Sequence, residues 1–486
     1  MKKTLVLLIF AVALIVGVML ARALRYGSSE PPVLSAREVA IPDGAIDRLA
    51  GAIRIPTISL ENPASFDAAA FEALHAYLLS QFPRVHSQLE REIVGEHSLL
   101  YTWRGSDVSL KPILLAGHLD VVPIEPATVD KWQEGPFSGR ITDGVVWGRG
   151  ALDDKSAVLG TLEAAEMLLG EEFTPARTIY FAYGHDEEVG GQHGGRAIAA
   201  LLKSRGVALE MVLDEGGVIG TDMVPGVDAQ LALVGTAEKG FVSIRLSVEV
   251  PGGHSSLPPR ESPIGILGAA IARLEADPMP PRFAEPTRQL LQRLSSRLPF
   301  VQRVAVTNLW ITGPLILSTL ERSPIINAMV RTTTAVTMFQ AGTKDNVLAS
   351  QATAVVNFRI VPGDRIADVQ EQVMRVIDDP RVEVDVVGAF SSEPSRISSA
   401  DSESFRTLER TIRSVLPEAI VTPYLAVVVT DARHYEDLAA NVFRFLPLRL
   451  APGDLNRMHG IDERLAASDY ELAIRFYREL ILNAAD

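Results

Sequence analysis

The stretch PILLAGHLD, residues 112–120, indicates the fold class, because a short continuous apolar run is followed at once by a histidine and an aspartate. The same order recurs in TIYFAYGHDEE (residues 178–188) and in MVLDEGG (residues 211–217). Segments with helical spacing, such as residues 155–169, lie between these runs. Apolar runs that alternate with helices are typical of strands buried on both faces of a sheet. We therefore expect an α/β body, with ligands bound beyond the carboxyl ends of its strands.

The pattern changes after about residue 237. Residues 241–250 (FVSIRLSVEV) alternate with period two, which is typical of a strand with one exposed face. The predicted elements then follow the order strand, helix, strand, strand, helix, strand, which is a ferredoxin-like α+β pattern, with an extra helical stretch over residues 287–298. We predict a catalytic domain formed by residues 43–236 and 390–486, and an inserted domain formed by residues 237–389.

The N-terminal sequence predicts the cellular location of the protein. Two lysines precede an uncharged apolar run of eighteen residues, TLVLLIFAVALIVGVMLA (residues 4–21). A membrane-spanning helix needs about 17–25 residues, whereas the apolar core of a signal peptide has about 7–15. The length favours an uncleaved anchor, although Ala21-Arg22-Ala23 is also typical of a cleavage site. We predict that residues 1–25 are a membrane anchor or signal segment, that residues 26–42 are a linker, and that the body is extracytoplasmic, either membrane-anchored or secreted.

The composition excludes several functional classes. The 486 residues carry a formal net charge of −14, and an acidic chain lacks the basic surface that nucleic-acid phosphates require. No nucleic-acid partner is therefore expected. The chain has no cysteine, which excludes disulfides, thiolate metal sites and cysteine nucleophiles and leaves histidine, aspartate and glutamate as strong metal ligands. The motifs HExxH, GxSxG and GxxxxGK[ST] do not occur, so the chemistries they carry are not predicted.

Successive strand ends of the predicted sheet carry carboxylates or imidazoles. These side chains are His118, Asp120, Asp153, Asp154, His185, Asp186, Glu187, Glu188, Asp214 and Glu215, and His459 follows near the C-terminus. Each pair taken alone is an ordinary surface turn or helix cap, but carboxylates crowded at one cleft repel each other unless cations neutralise them. Ligands of this kind suit zinc, with cobalt or manganese as alternatives. The pattern therefore predicts a site for two divalent ions.

Seven segments in order, GHLDVVP, WGRGALDDKSAV, YGHDEEVGG, VLDEGG, VPGGHSSLPP, NFRIVPGD and MHGIDERL, resemble the di-zinc metallopeptidases of clan MH. The likeness is greatest to the carboxypeptidase S and N-acyl-amino-acid hydrolase branch, which is related to the aminoacylases and to succinyl-diaminopimelate desuccinylase. It covers nearly the whole chain after the linker. The resemblance implies a zinc-peptidase catalytic domain with a mixed, largely parallel sheet, and an inserted ferredoxin-like lid and dimerisation domain.

The resemblance implies a set of metal ligands for two zinc ions in each subunit. These ligands are His118, Asp153, Glu188, Asp214 and His459. Asp153 would bridge the two ions, with His118 and His459 on opposite sides of it. Glu215 stays an alternative to Asp214, because the two are adjacent and relatives use either residue type at this position.

Further residues would serve the reaction itself. The resemblance implies that Glu187 is the general base, that Asp120 orients His118, and that a cis peptide bond joins Asp153 to Asp154. An aspartate two residues after a ligating histidine can hold the second ring N–H and fix the tautomer.

The inserted domain contributes three candidates for substrate binding. His254 resembles a histidine that reaches a neighbouring active site and stabilises the developing oxyanion. Arg359 and Asn346 are candidates for binding the free carboxylate of the substrate. Ordinary loop or surface roles stay open for all three. Asp431 and Arg433 are expected near the pocket without an assigned role.

These features together predict zinc-dependent hydrolysis of an amide bond in a small peptide or N-acyl amino acid that has a free C-terminal carboxylate. A homodimer formed through the inserted domain is a further expectation. The alternative is a catalytically inactive, membrane-anchored binding module of the same fold. The complete ligand set, with Glu187 present, argues against that alternative.

Overall fold

The computed structural model describes residues 2–26, 39–223 and 229–485, so most of the predicted linker lies outside the described residues. The α-helices of the described chain are α1 (Lys2–Tyr26), α2 (Ala45–Ile53), α3 (Ala68–Gln81), α4 (Pro83–Gln88), α5 (Lys155–Gly170), α6 (Gly195–Ser204), α7 (Pro263–Ala276), α8 (Glu285–Leu294), α9 (Phe300–Val306), α10 (Leu309–Leu320), α11 (Pro324–Val330), α12 (Ile366–Ile377), α13 (Glu403–Val415) and α14 (Ala467–Ala484). The strands are β1 (Glu90–Val94), β2 (Ser98–Trp103), β3 (Ile113–His118), β4 (Arg140–Thr142), β5 (Val145–Trp147), β6 (Ile179–Gly184), β7 (Met211–Asp214), β8 (Ile219–Gly220), β9 (Leu231–Glu238), β10 (Gly240–Glu249), β11 (Gly253–His254), β12 (Thr333–Ala341), β13 (Val347–Leu348), β14 (Gln351–Ile360), β15 (Glu383–Ser392), β16 (Ile420–Ala426), β17 (Val442–Arg444), β18 (Arg449–Leu450) and β19 (Arg464–Ala466).

The largest sheet has ten strands in the order β1-β2-β6-β3-β7-β17-β9-β8-β18, and β16 pairs with β9. Its centre is parallel, because β3 pairs with β6 and β7 in parallel and β17 pairs with β7 in parallel. Antiparallel pairs lie towards both ends, for example β1 with β2 and β8 with β9. The predicted α/β fold class with a mixed, largely parallel sheet is confirmed.

The central strands are buried on both faces, as their continuous apolar runs predict. All six residues of β3 are buried, and helices α5 and α14 pack against each other within the main hydrophobic core. Burial of apolar surface on this scale is the dominant stabilising contribution to such a body. The parallel strands β3, β6 and β7 therefore have fixed carboxyl ends on a rigid core, and those ends carry the site.

A separate four-stranded antiparallel sheet has the order β12-β14-β10-β15. With α7 and α12 packed against it, this order matches the predicted ferredoxin-like pattern. Burial along β10 alternates because Val242, Ile244, Leu246 and Val248 face the helices in a second core. The boundaries predicted for the two domains stay predictions.

Residues 285–330 differ from the predicted inserted domain. The sequence predicts one helical stretch here, but the segment forms four helices, α8 to α11. Helix α8 packs against β16 of the large sheet. Leu290, Leu294 and Met329 form a hydrophobic cluster with Leu231 of β9. The segment is thus attached to the large sheet, and the hydrophobic effect explains the placement because its buried leucines have their apolar partners there.

Helix α1 is the one described helix that is long and apolar enough by itself to cross a membrane, over Lys3–Arg25. Its C-terminal end contacts α9. The side chain of Arg22 donates from Nε to the carbonyl of Thr307 at 3.2 Å, and the side chain of Asn308 donates to the carbonyl of Met19 at 3.1 Å. Ala23 is fully buried there. The apolar helix thus ends against the folded body.

Candidate active site

The candidate active site lies where three neighbouring parallel strands end. His118 is the last residue of β3 and Asp214 the last residue of β7, and the segment His185–Glu188 directly follows β6. Because β6, β3 and β7 are adjacent and parallel, these ends meet at one edge of the sheet. The strand ends that carry these side chains in the sequence therefore meet in the structure.

Asp153 lies between two imidazoles. Its Oδ1 is 2.9 Å from Nε2 of His118, and its Oδ2 is 3.0 Å from Nε2 of His459. Nε2 of His459 is also 3.3 Å from Oε2 of Glu188. A carboxylate that has one oxygen close to each of two imidazoles has the geometry expected of a ligand that bridges two metal ions. The peptide bond between Asp153 and Asp154 is cis, as the resemblance implies.

Asp120 holds the residues around it in position. The backbone N–H groups of Glu187 and Glu188 donate to its two carboxylate oxygens at 3.2 and 3.1 Å, and its Oδ1 is 3.3 Å from Nδ1 of His118. Ser59 donates its hydroxyl to Oδ2 at 2.5 Å. The role predicted for Asp120 is the orientation of His118. In the structure, Asp120 also contacts the loop that carries Glu187 and Glu188. The part played by Ser59 has no signal in the sequence.

The structure separates Asp214 from Glu215. Oε1 of Glu215 lies 3.7 Å from Nε2 of His118, and Glu215 belongs to a group with His118 and Glu187 that could hold a metal ion. Asp214 is buried one residue earlier, where its Oδ1 accepts the N–H of Glu215 at 3.0 Å. Asp214, which the sequence analysis favours as a ligand, is therefore not among the side chains that converge on His118, whereas its alternative Glu215 is. Neighbouring residues at a strand end point in different directions, which accounts for the difference.

A buried ion pair supports the loop that carries Asp153. Nη1 of Arg149 lies 2.5 Å from Oε2 of Glu463. The other oxygen of Glu463 accepts the N–H groups of Gly150 and Leu152 at 2.9 and 2.8 Å. The sequence does not predict this pair, although Glu463 falls within the MHGIDERL segment. It is separated from the loop by more than three hundred residues, and nothing local indicates its partner.

The site concentrates negative charge in a buried place. Burial, reinforced by neighbouring acidic groups, raises the pKa values of Glu187, Glu188 and Glu215. Burial would also raise the pKa of Asp153, but hydrogen bonds to the two histidines outweigh it and hold that pKa well below its usual range. Hydrogen bonds to Asp153 and Glu188 raise the pKa of His459 to about 10.

The residues present fit a metal cofactor. Among the described residues, the buried Oε1 of Glu188 has no hydrogen-bond partner. A second group of His118, Asp153 and Glu188 places one ligand atom from each residue within 4.8 Å of the others. Oxygen and imidazole ligands without sulfur are the set that zinc, manganese and cobalt accept. A cation bound there would neutralise carboxylates that otherwise repel.

A cavity of about 1660 Å³ opens on this cluster. One end is lined by the polar side chains Asp153, Glu187, Glu188, Glu215 and His459. Much of the remaining wall is apolar, and part of it comes from α8, α10, α11 and β16, with Leu291, Leu294, Leu320, Met329 and Tyr424 among its side chains.

Two arginines line the same cavity. Arg359 is half-buried and lies over the ring of Phe241 at 4.7 Å, and burial lowers its pKa. Within the described residues its guanidinium has no acidic side chain within ion-pair distance. Arg433 lies over Phe390 at 4.6 Å and donates to the carbonyls of Thr430 and Gly190.

The two other substrate-binding candidates lie elsewhere. His254 is exposed on β11, and its Nδ1 accepts the backbone N–H of Ser256 at 3.1 Å. Asn346 is exposed beside it, and its backbone carbonyl accepts the backbone N–H of Ser255 at 3.2 Å. Neither residue lines the cavity of its own chain. Asp431, which is expected near the pocket, is buried, and both of its carboxylate oxygens lack a hydrogen-bond partner among the described residues.

Comparisons with known proteins agree with this arrangement. Residues 114–483 match the model of peptidase family M20/M25/M40. The chain is 42% identical to probable carboxypeptidase S-like 2 of Dictyostelium discoideum, over 97% of this chain and 92% of that protein. It is 41% identical to human N-fatty-acyl-amino acid synthase/hydrolase PM20D1, over 90% of this chain and 87% of that protein. The fold is similar to that of the M20 family metallo-carboxypeptidase Sso-CP2 from Sulfolobus solfataricus, with a TM-score of 0.67 and 17% identity over 90% of this chain and 99% of that chain. The resemblance inferred from the sequence is thereby confirmed, and the chain is a hydrolase that belongs to peptidase family M20/M25/M40.

Proposed function

We propose that the protein is a metal-dependent hydrolase of N-acyl amino acids, with a long apolar acyl group as the preferred partner of the amino acid, and that small peptides with a free C-terminal carboxylate are alternative substrates. The observation that carries the proposal is the apolar cavity that opens on the His and carboxylate cluster and also contains Arg359. Similarity to carboxypeptidase S-like proteins and to an N-fatty-acyl-amino acid synthase/hydrolase supports this substrate class.

Two zinc ions are the proposed cofactor, with cobalt or manganese as alternatives. His118, Asp153 and Glu215 would hold one ion, and His459, Asp153 and Glu188 would hold the other. Glu215 here takes the place that the sequence analysis gives to Asp214, because of its distance to His118. When bound, such ions polarise a carbonyl oxygen and lower the pKa of water to about 7.

Glu187 is the proposed general base. Its carboxylate takes a proton from the attacking water as the water oxygen bonds to the amide carbon. It then gives that proton to the amine nitrogen as the carbon–nitrogen bond breaks, which releases a carboxylic acid and an amino acid. Burial raises the pKa of Glu187 well above its ordinary value, so the residue can hold the proton between the two steps. Asp120 accepts the backbone N–H of Glu187 and keeps the carboxylate in place.

Arg359 is proposed to bind the carboxylate of the amino acid. A half-buried guanidinium with no acidic partner among the described residues is a strong site for a bidentate carboxylate. The apolar wall would take the acyl chain, where each buried methylene contributes about 0.8 kcal/mol. The cavity of about 1660 Å³ exceeds the roughly 300–1,000 Å³ of ordinary ligand pockets, so it has room for a chain longer than a dipeptide requires.

The N-terminal apolar helix is consistent with a signal segment or an anchor. We propose that it is an uncleaved anchor and that the body is extracytoplasmic. The burial of Ala23 and the contact between Arg22 and Thr307 support retention, because cleavage after residue 23 would remove a packed segment.

The inserted domain is proposed to act between subunits. His254 and Asn346 lie outside the cavity of their own chain, so a role in catalysis requires the site of a second subunit in a homodimer.

A substrate panel combined with metal analysis tests the proposal. Purified full-length protein should contain two equivalents of metal and should hydrolyse N-acyl amino acids with a KM that falls as the acyl chain lengthens. Glu187→Gln should keep the metal and lose at least about a hundredfold in kcat, because a positioned base contributes about 10²–10⁴-fold. Glu418→Gln, at an exposed position, is the matched control. Bound metal without activity on any member of the panel would favour the inactive binding module instead.

A further inference from the structure

Helices α9 and α10 form a bent pair with an exposed apolar surface. They meet at an angle of 108°. Exposed fractions reach 80% for Val301 and 71% for Leu315, and Phe300, Trp310 and Ile311 are also exposed. Residues 298–320 contain no aspartate or glutamate, although the chain as a whole carries 60 acidic residues. Large apolar side chains gathered on one surface without acidic neighbours mark an interaction site.

The position of α9 and α10 relative to α1 indicates which partner covers this apolar surface. The turn between the two helices, at Thr307 and Asn308, contacts Met19 and Arg22 of α1. At about 1.5 Å rise per residue, Met19 and Arg22 lie roughly 24 and 28 Å along the helix from Lys3. The hydrocarbon core of a bilayer is about 30 Å thick. If α1 crosses the membrane, the turn lies where the hydrocarbon meets the headgroups, and the exposed apolar side chains lie at the same level.

The segment from α8 to α11, which includes this pair, also lines the active-site cavity. Leu320 at the end of α10 lines the cavity, as do Leu291 and Leu294 of α8 and Met329 of α11. The outer residues Val301, Trp310 and Leu315 do not line it. The segment therefore has one apolar side towards the cavity and another towards its surroundings.

We propose that α9 and α10 insert their exposed apolar surface into the lipid bilayer beside α1, and that acyl substrates dissolved in the membrane reach the cavity through this segment. A short bent pair of this kind lies in the interface rather than spanning it. The docking itself does not depend on the activity, whereas the access role rests on the proposed function.

Quenching by lipid tests the docking. The full chain is reconstituted in vesicles of phosphatidylcholine and phosphatidylglycerol in equal amounts, with or without brominated acyl chains. Trp103 and Trp132 are buried in the body, whereas Trp310 is 57% exposed. The fluorescence difference between wild type and Trp310→Phe should lose about half of its intensity or more in brominated vesicles, because an interfacial tryptophan contacts the acyl chains. Equal quenching of wild type and Trp310→Phe would overturn the docking. So would a Trp310 signal that lipid leaves unchanged but protein dilution alters, since a second copy would then cover the surface.

Kinetics in the same vesicles tests the access role. Val301→Asp and Leu315→Asp should raise the KM for a long-chain N-acyl amino acid roughly tenfold, because a carboxylate is unfavourable at this depth. The kcat/KM for a water-soluble N-acetyl amino acid should not change. Leu79→Asp, at an exposed apolar position of α3, is the control and should alter neither value. An unchanged KM for the long-chain substrate in both variants would overturn the access role. Absence of all hydrolysis by the wild type would refute the proposed function instead, and the quenching result would still decide the docking.

Discussion

Nε2 of His459 lies 3.0 Å from Oδ2 of Asp153, although 306 positions separate the two residues in the chain. The other oxygen of the same carboxylate faces His118. Asp153 therefore connects the first strand end of the site to a turn near the C-terminus. His459 itself has a positive φ of 59°, a conformation that histidine adopts more readily than most residues. The turn that carries His459 thus has a backbone conformation that few other residue types adopt readily.

Removal of the His459 imidazole should release one of the two metal ions. We expect His459→Ala to contain about one equivalent of metal and to lose at least about a hundredfold in activity, because loss of a direct ligand should exceed the 10–100-fold effect of outer-shell changes. Plasma emission spectrometry of the dialysed protein measures the metal. His86→Ala, in α4 beside Tyr101, should keep two equivalents. Wild-type metal content in His459→Ala would contradict the ligand assignment.

Two neighbouring substitutions distinguish the ligands at the end of β7. Glu215→Gln should lower the metal content to about one equivalent and abolish most activity, because its carboxylate faces His118. Asp214→Asn should keep both ions, because its oxygen accepts a backbone N–H within the strand end. The reverse result would restore Asp214 as the ligand.

Disruption of the buried ion pair between Arg149 and Glu463 should strongly lower the free energy of unfolding. Glu463→Gln leaves the Arg149 guanidinium buried without its counter-charge, so we expect a loss of about 3–5 kcal/mol in the free energy of unfolding. Urea titration of the metal-free protein measures it. The exposed pair of Glu90 and Arg104 provides the comparison, and Glu90→Gln should cost no more than about 1 kcal/mol. Similar losses in the two variants would show that the buried pair has no special role.

Lys239 should make stability depend on pH. It is fully buried between β9 and β10, and its Nζ donates to the carbonyls of Ala328 and Arg331. Burial, together with the nearby charge of Arg359 and against that of Asp364, lowers the pKa of Lys239 to about 7. Between about pH 7 and the ordinary value of about 10.4, the unfolded chain holds a proton that the folded chain has released, so stability rises with pH.

The comparison variant for this pH dependence is Lys239→Met. Wild type should gain up to about 1.4 kcal/mol per pH unit relative to Lys239→Met between pH 7 and 10, measured by urea unfolding at each pH. Lys203→Met, at an exposed residue paired with Asp437, should leave the slope of the wild type unchanged. A difference between wild type and Lys239→Met that is constant with pH would refute the prediction.

Subunit mixing tests the role of His254. Glu187→Gln and His254→Ala should each be nearly inactive alone. If His254 serves the site of its partner, random exchange of the two variants should restore about one quarter of the wild-type activity, since one site in four then has both residues. Co-expression of the two variants and an assay of the mixture measure it. No gain over the separate variants would refute a role of His254 in the site of the partner.

The α/β fold class and the meeting of strand ends follow from the sequence, because apolar runs of the kind seen in PILLAGHLD define buried strands and their carboxyl ends. The choice between Asp214 and Glu215 does not follow, because it depends on how the end of β7 is turned. The pair Arg149–Glu463 and the helices α9 to α11 also do not follow. Arg149 and Glu463 join distant segments of the chain. The helices are held by contacts with β9, β16 and α1, and no local sequence pattern predicts these contacts.

The proposed role of His459 as a metal ligand also has a consequence for biosynthesis. His118 and His459 are 341 positions apart, by subtraction of their numbers, and at about 5–20 residues per second a ribosome needs roughly 20–70 s to pass from one to the other. During that interval the nascent chain contains the first histidine without the second. If His459 is a metal ligand, as proposed above, the site therefore stays incomplete until almost the entire polypeptide has been made.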